Sequence, residues 1–181
     1  MRILVLMSSP HEEGSSNLLA NSFIKGAREK GHAVFVYDVG HQDMHACRGC
    51  YDCPGRCECN GECRQNDAMA IIKDKILNAD MVVFVSPLHY YGMSSSLMMV
   101  FERFYGFTNA IIEKHLKSIF IAAASKREVD EFDSLKSHYR QLCKFFNFED
   151  VGSVFAEGCA IPEMTKSSTY MQDAYKLGLA L

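Results

Sequence analysis

Six of the eight cysteines fall between Cys47 and Cys63, while Cys143 and Cys159 stand alone. In a reducing compartment such clustering points to a metal or redox site rather than a set of disulfides. Cys47, Cys50 and Cys53 are spaced by two intervening residues each, which puts three soft ligands on one tight loop, a spacing found in 4Fe-4S sites. Cys57, Cys59 and Cys63 can each supply a fourth; Cys57 has the ferredoxin-like distance, with Glu58 where that pattern carries proline. Structural zinc through four of the six is the competing reading, because zinc also accepts all-cysteine tetrahedral sites. Free thiols or a redox disulfide are the third.

Two further stretches carry chemistry. In SSPHEEGSSN the hydroxyls of Ser8, Ser9, Ser15 and Ser16 flank Pro10 and Gly14 and run into Asn17, where a helix begins. Backbone N–H groups and the helix dipole there favour a phosphate; the bland alternative is a hydroxyl-rich turn and cap. Neither the dinucleotide fingerprint nor the Walker pattern is present. In SPLHYYGMSSS, Pro87 stiffens the chain before Leu88 and His89, Tyr90 and Tyr91 offer flat faces, and Gly92 lets backbone approach a ligand. That composition suits a planar ring, or aromatics packed on their own protein. His11 and His89 lie in these loops and read as hydrogen-bonding or surface residues. No catalytic side chain is assigned, and no Ser-His-Asp or paired-carboxylate arrangement supports hydrolysis.

The elements that position these loops are repeated βα units, because short apolar runs alternate with helix-period segments throughout. Strands are expected at Arg2–Ser8, Ala33–Val39, Met81–Ser86, Ile119–Ala124 and Val151–Ala156. Helices are expected at Ser16–Lys30, with Leu19, Phe23 and Ala27 on the buried face beside Leu18 and Ile24, then at Asp67–Asn78, Ser95–Phe107, Glu131–Phe146 and Ser168–Leu179. Ser, Asp or Asn near most starts should cap them. Such units make an α/β three-layer sandwich around an open, five-stranded parallel sheet, flavodoxin-like, in the order 2-1-3-4-5. Ligands bind beyond the carboxyl ends of such strands at the switch point, here between the first and third. The hydroxyl and aromatic loops both emerge there. The cysteine-rich segment, about residues 41–66, follows the second strand and should share that edge.

At 181 residues the chain suits one domain, 1–181. A formal charge of -3 leaves no basic excess for nucleic acid or an anionic membrane surface. The apolar start, Ile3 to Met7, is too short for a signal peptide, and no run approaches a membrane span. A cytoplasmic location is expected.

Four landmarks in order along the chain resemble the NAD(P)H-dependent FMN reductase-like flavoproteins, and among them the iron-sulfur flavoproteins. These are SSPHEEGSSN; CRGCYDC followed by Gly61-x-Cys63 ahead of Asp67 and Met69; the stretch Asn78–Arg103; and the closing AYKLGLAL. The resemblance implies FMN, its phosphate in the first loop and its isoalloxazine ring along Pro87 to Gly92. It implies a 4Fe-4S cluster on Cys47, Cys50, Cys53 and a fourth cysteine. Counting from Cys53 points to Cys59, and anchoring on the Gly-x-Cys before Asp67 points to Cys63. It further implies a homodimer or homotetramer in which a neighbouring chain completes the flavin site, and NAD(P)H or ferredoxin as redox partner. Relatives usually place glycines after strand four, where this chain has Ala124-Ser125-Lys126-Arg127-Glu128. The expected activity is electron passage between cluster and FMN. A cluster-free NAD(P)H-dependent FMN or quinone reductase and a metal-stapled binding module without catalysis are the alternatives.

Overall fold

The structure is a computed structural model that describes residues 1–50, 63 and 65–181. β1 (Arg2–Met7), β2 (Ala33–Asp38), β3 (Met81–Pro87), β4 (Lys117–Ala123) and β5 (Glu149–Ala156) form a parallel sheet in the order β2-β1-β3-β4-β5. The expected order therefore holds. Parallel strands covered on both faces need apolar residues at every position rather than at alternate ones, and β1 and β3 meet that requirement with IleLeuValLeuMet and MetValValPheVal.

Alternation along β1 splits the interior into two layers. Leu4 and Leu6 face a cluster with Phe84, Phe101, Phe120, Leu135 and Tyr139, under α2 (Met69–Leu77), α3 (Ser95–Arg103) and α5 (Asp133–Phe146). Ile3, Val5 and Met7 face Leu19, Phe23 and Ile24 of α1 (Ser15–Glu29), with Ala174 of α7 (Tyr170–Leu179) beside them. Leu18 is only half-buried, so the face of α1 is narrower than expected. The helices α1 and α7 cross at glycine: a Cβ on Gly178 would stand 2.2 Å from the Phe23 carbonyl oxygen, and one on Gly26 2.3 Å from that of Tyr175.

Three local expectations change. The helix placed at Ser95–Phe107 ends at Arg103; a 3-10 turn at Phe104–Phe107 follows, then α4 (Thr108–Lys114). A short α6 (Pro162–Lys166) was not foreseen; it opens on proline at its first turn. Side-chain capping is scarce among the described residues: Ser94 accepts from Leu97 N at the start of α3, and no other described helix has a hydrogen-bonding side chain at its N-cap residue. Among the described residues no helix is long and apolar enough to cross a membrane.

Candidate functional site

The loop after β1 is held by its own bonds. Gly14 N donates to His11 O at 2.9 Å, and Asn17 Nδ2 reaches the carbonyls of His11 and Glu12 at 3.1 and 3.3 Å. Ser9 Oγ accepts from His11 N at 3.2 Å. From outside, His41 brackets the loop, with Nδ1 2.8 Å from Asp38 and Nε2 3.1 Å from Pro10 O. The hydrogen bond to Asp38, then its charge, raises the His41 pKa. A side chain at Gly14 has no room, since its Cβ would lie 2.6 Å from Ser9 Oγ and 2.9 Å from His11 O. The chain thus turns tightly into α1, whose N-terminus no side chain caps. Ser16, buried to 1% exposure, has a hydroxyl with no partner.

Ser8 belongs to the scaffold beneath. Its hydroxyl donates to Val85 O and accepts from Ser94 Oγ, both at 2.7 Å, while Ser94 N donates to Ser86 Oγ at 2.8 Å. These serines join the loop after β1 to that after β3. Past Pro87, Leu88 N bonds to Ala123 O at 2.8 Å, and His89 and Gly92 exchange backbone hydrogen bonds of 2.9 and 3.0 Å across a two-residue turn. Tyr90 and Tyr91 form that turn at φ of 48° and 64°. Two consecutive left-handed residues bearing side chains cost about 1 kcal/mol each. Tyr90 is fully exposed and Tyr91 more than half exposed, so self-packing of these aromatics is not what the turn provides.

Between the two loops lies a cavity of about 570 Å³, within the range of roughly 300–1,000 Å³ usual for small-molecule sites. From the expected set, Ser9, Gly14, Ser15, Ser16, Pro87, Leu88 and His89 line it. Ser8, Pro10, Asn17, Tyr90, Tyr91 and Gly92 do not line it. The rest of the wall is His11, read from the sequence as a hydrogen-bonding or surface residue, together with residues that were not foreseen: Glu13, Ala123 and Ser125, and Cys159 to Pro162 after β5. Cys159 is buried, and it also faces this cavity. The loops after β4 and β5 are pinned to each other by Cys159 N to Ala124 O at 2.7 Å and Gly158 N to Lys126 O at 2.6 Å. The signal for their role was topological, since every βα loop of a parallel sheet opens on the same edge.

The cysteine segment is anchored differently. Cys47 is exposed, and Cys50 and Cys63 are half-buried with free thiols; Cys53, Cys57 and Cys59 lie outside the described residues. Asp67 and Arg103, 3% and 2% exposed at their side chains, form a two-pronged ion pair at 2.7 and 3.1 Å. Burial alone would raise the Asp67 pKa; hydrogen bonds from Arg103, Met69 N and His45 N, with the guanidinium's charge, outweigh it and hold the carboxyl at about 2. Arg103 Nη2 also donates to Cys63 Sγ at 3.3 Å. The donor type fits a soft metal, sulfur with an N–H partner already in place. The described cysteines do not by themselves gather into a group of three, and completing a ligand set would draw on the others. A second cavity of about 490 Å³ opens beside Cys63, Arg103, Met69 and Phe107 and shares no residue with the first.

The fold and the switch-point cavity define an α/β protein of the flavodoxin type, and residues 1–177 match the family described as having a flavodoxin-like fold, to which the chain belongs. It is 27% identical over 105 residues to an iron-sulfur flavoprotein of Methanocaldococcus jannaschii, covering 57% of this chain and 51% of the relative. It is 25% identical to an iron-sulfur flavoprotein of Archaeoglobus fulgidus, over 84% of this chain and 66% of that one. The chain thus spans about half to two thirds of these relatives. An FMN-dependent NADH:quinone oxidoreductase of Alteromonas mediterranea is 23% identical over 93% of this chain and 92% of its own. Among solved structures, an NAD(P)H:quinone oxidoreductase from Methanothermobacter marburgensis superposes with a TM-score of 0.74 at 16% identity, over 99% of this chain and 94% of that one. An FMN-dependent NADH-azoreductase from Bacillus anthracis in complex with FMN superposes at 0.68 and 15% identity, over 99% and 97%.

Proposed function

We propose that this protein is an FMN-dependent oxidoreductase of the iron-sulfur flavoprotein type, with FMN in the switch-point cavity. The observation that carries the reading is the Ser16 hydroxyl, buried without a partner at the uncapped start of α1 and on the wall of the cavity. A phosphate oxygen is the acceptor that this hydroxyl and the first-turn N–H groups lack. The names of the curated relatives and the FMN-bound structural neighbour support the same assignment.

When bound, FMN accepts two electrons and releases them singly or together. The chain's residues do the holding. Ser15 and Ser16 offer hydroxyls to the phosphate end, Ser9 holds the loop in shape through its bonds to His11, Gly14 permits the close approach, and Leu88 and His89 border the ring end. Beneath them the Ser8–Ser94–Ser86 bonds keep the two loops in register. NAD(P)H or a ferredoxin would be the electron donor, and Cys47, Cys50, Cys53 and Cys59 or Cys63 would hold a metal cluster that supplies one-electron chemistry beside the flavin. Tyr90, Tyr91 and Val129, exposed on the β3 and β4 loops, are the surface on which a second copy closes the cavity.

The test is Ser16→Asp. A carboxylate against the phosphate costs about 3 kcal/mol at an effective dielectric near 20, so FMN affinity measured by fluorescence quenching falls at least 100-fold. Unchanged affinity overturns the phosphate assignment. Iron and zinc analysis of protein purified without oxygen separates the cluster from a cluster-free reductase.

A further inference from the structure

The Arg103 side chain meets both ends of the cysteine segment. Its Nη1 donates to His45 O at 2.8 Å, just ahead of Cys47, and its Nη2 to Cys63 Sγ at 3.3 Å. Asp67, paired with both nitrogens, accepts in turn from His45 N at 3.2 Å and Met69 N at 3.1 Å, and Gln65 Nε2 reaches Ala46 O at 3.2 Å. The strands of chain entering and leaving the segment therefore close on one buried guanidinium. A buried ion pair adds little net stability over an apolar pair of the same volume, so the reason for this one lies in its geometry. The guanidinium is a rigid planar fork; with two prongs on Asp67 it still has an N–H aimed at sulfur, which a lysine could not supply at the same time.

We propose that Arg103 is a positioning residue acting through Cys63: it fixes the Cys63 sulfur as a preformed soft ligand at the base of the segment before any metal arrives. N–H groups that hold a ligating atom in place are typically worth 10–100-fold in metal affinity. The inference rests on the metal reading of the cysteine segment and deepens it by assigning a role to a residue that carries no sulfur.

The test is cadmium titration of the FMN-loaded full chain, stripped of metal, followed by thiolate-to-cadmium charge-transfer absorption. Arg103→Lys keeps the charge opposite Asp67 but loses the N–H to sulfur; its cadmium affinity is expected to fall about 10-fold with FMN content unchanged. In a Cys63→Ser background the same substitution is expected to change nothing further. Wild-type affinity in Arg103→Lys, or an equal loss in both backgrounds, overturns the inference and leaves the metal reading standing. A wild-type chain that takes up no cadmium overturns both. Should Arg103→Lys fail to fold, Asp67→Asn with Arg103→Gln removes the charges as a pair, and the same affinities decide.

Discussion

The switch-point cavity and the base of the cysteine segment, as far as residues 45–50, 63 and 65–67 describe it, are built on opposite principles. The cavity takes its wall from four separate βα loops, whose backbone is held by short local bonds and which bring serine hydroxyls together with His11, Glu13 and His89. The base of the cysteine segment is closed by one buried ion pair between Asp67 and Arg103, 36 residues apart in sequence. A site made of backbone shape survives the loss of any one side chain better than a site hung on a single pair of charges. The two should therefore fail separately and by different amounts.

The largest effect is expected from Asp67→Ala, which leaves the Arg103 guanidinium buried and unpaired. Breaking such a pair costs about 3–5 kcal/mol, read as a lowered midpoint in urea unfolding. FMN affinity of the folded fraction should stay at the wild-type value, because the two cavities share no residue; a matching loss of FMN would show that the regions are not independent.

Acid sharpens the same contrast. The Asp67 carboxyl, at about 2 when folded, lies below its unfolded value of about 3.9, so the pair's contribution, about 2 kcal/mol, is present above pH ~4 and lost as pH falls toward 2. Unfolding free energies of wild type and Asp67→Asn measured across that window should converge at its acid end. Parallel curves would mean that Asp67 does not carry the dependence.

Smaller changes are expected in the cavity. Gly14→Ala pushes a methyl against Ser9 and the His11 carbonyl, and the loop shift should cost about 1–2 kcal/mol, seen as roughly tenfold weaker FMN binding in equilibrium titration. Least of all, Tyr90→Asn with Tyr91→Gly supplies residues suited to the left-handed turn and should stabilise the chain by about 1 kcal/mol by thermal melt. A lowered melting temperature would mean that the tyrosines make contacts that outweigh their strain.

The strands and their order were legible because continuous apolar runs such as Ile3 to Met7 and Val82 to Val85 are what a sheet covered on both faces requires. Helix ends were less so. Asp67 was expected inside α2, and instead accepts from Met69 N just before that helix while holding Arg103. The break after Arg103 and the short α6 left no clear periodic signal, since Phe104 to Phe107 continues an apolar pattern that a helix would also show. In the cavity, the hydroxyl loop was legible from composition, but Ser8 was grouped with Ser16 although one hydroxyl is spent on Val85 O and the other has no partner. Cys159 carried no motif at all.

By itself the sequence determined the βα rhythm, the sheet order it implies, the two loops at the switch point and the clustering of six cysteines in one segment, because each follows from local periodicity, residue type or spacing. Only the tertiary structure decided which hydroxyl is left for a ligand, that the loops after β4 and β5 close the cavity, and that Arg103 gathers His45, Cys63 and Asp67 at one point. The physical reason is that these depend on hydrogen bonds and packing between residues far apart in the chain, which nothing local in the sequence encodes.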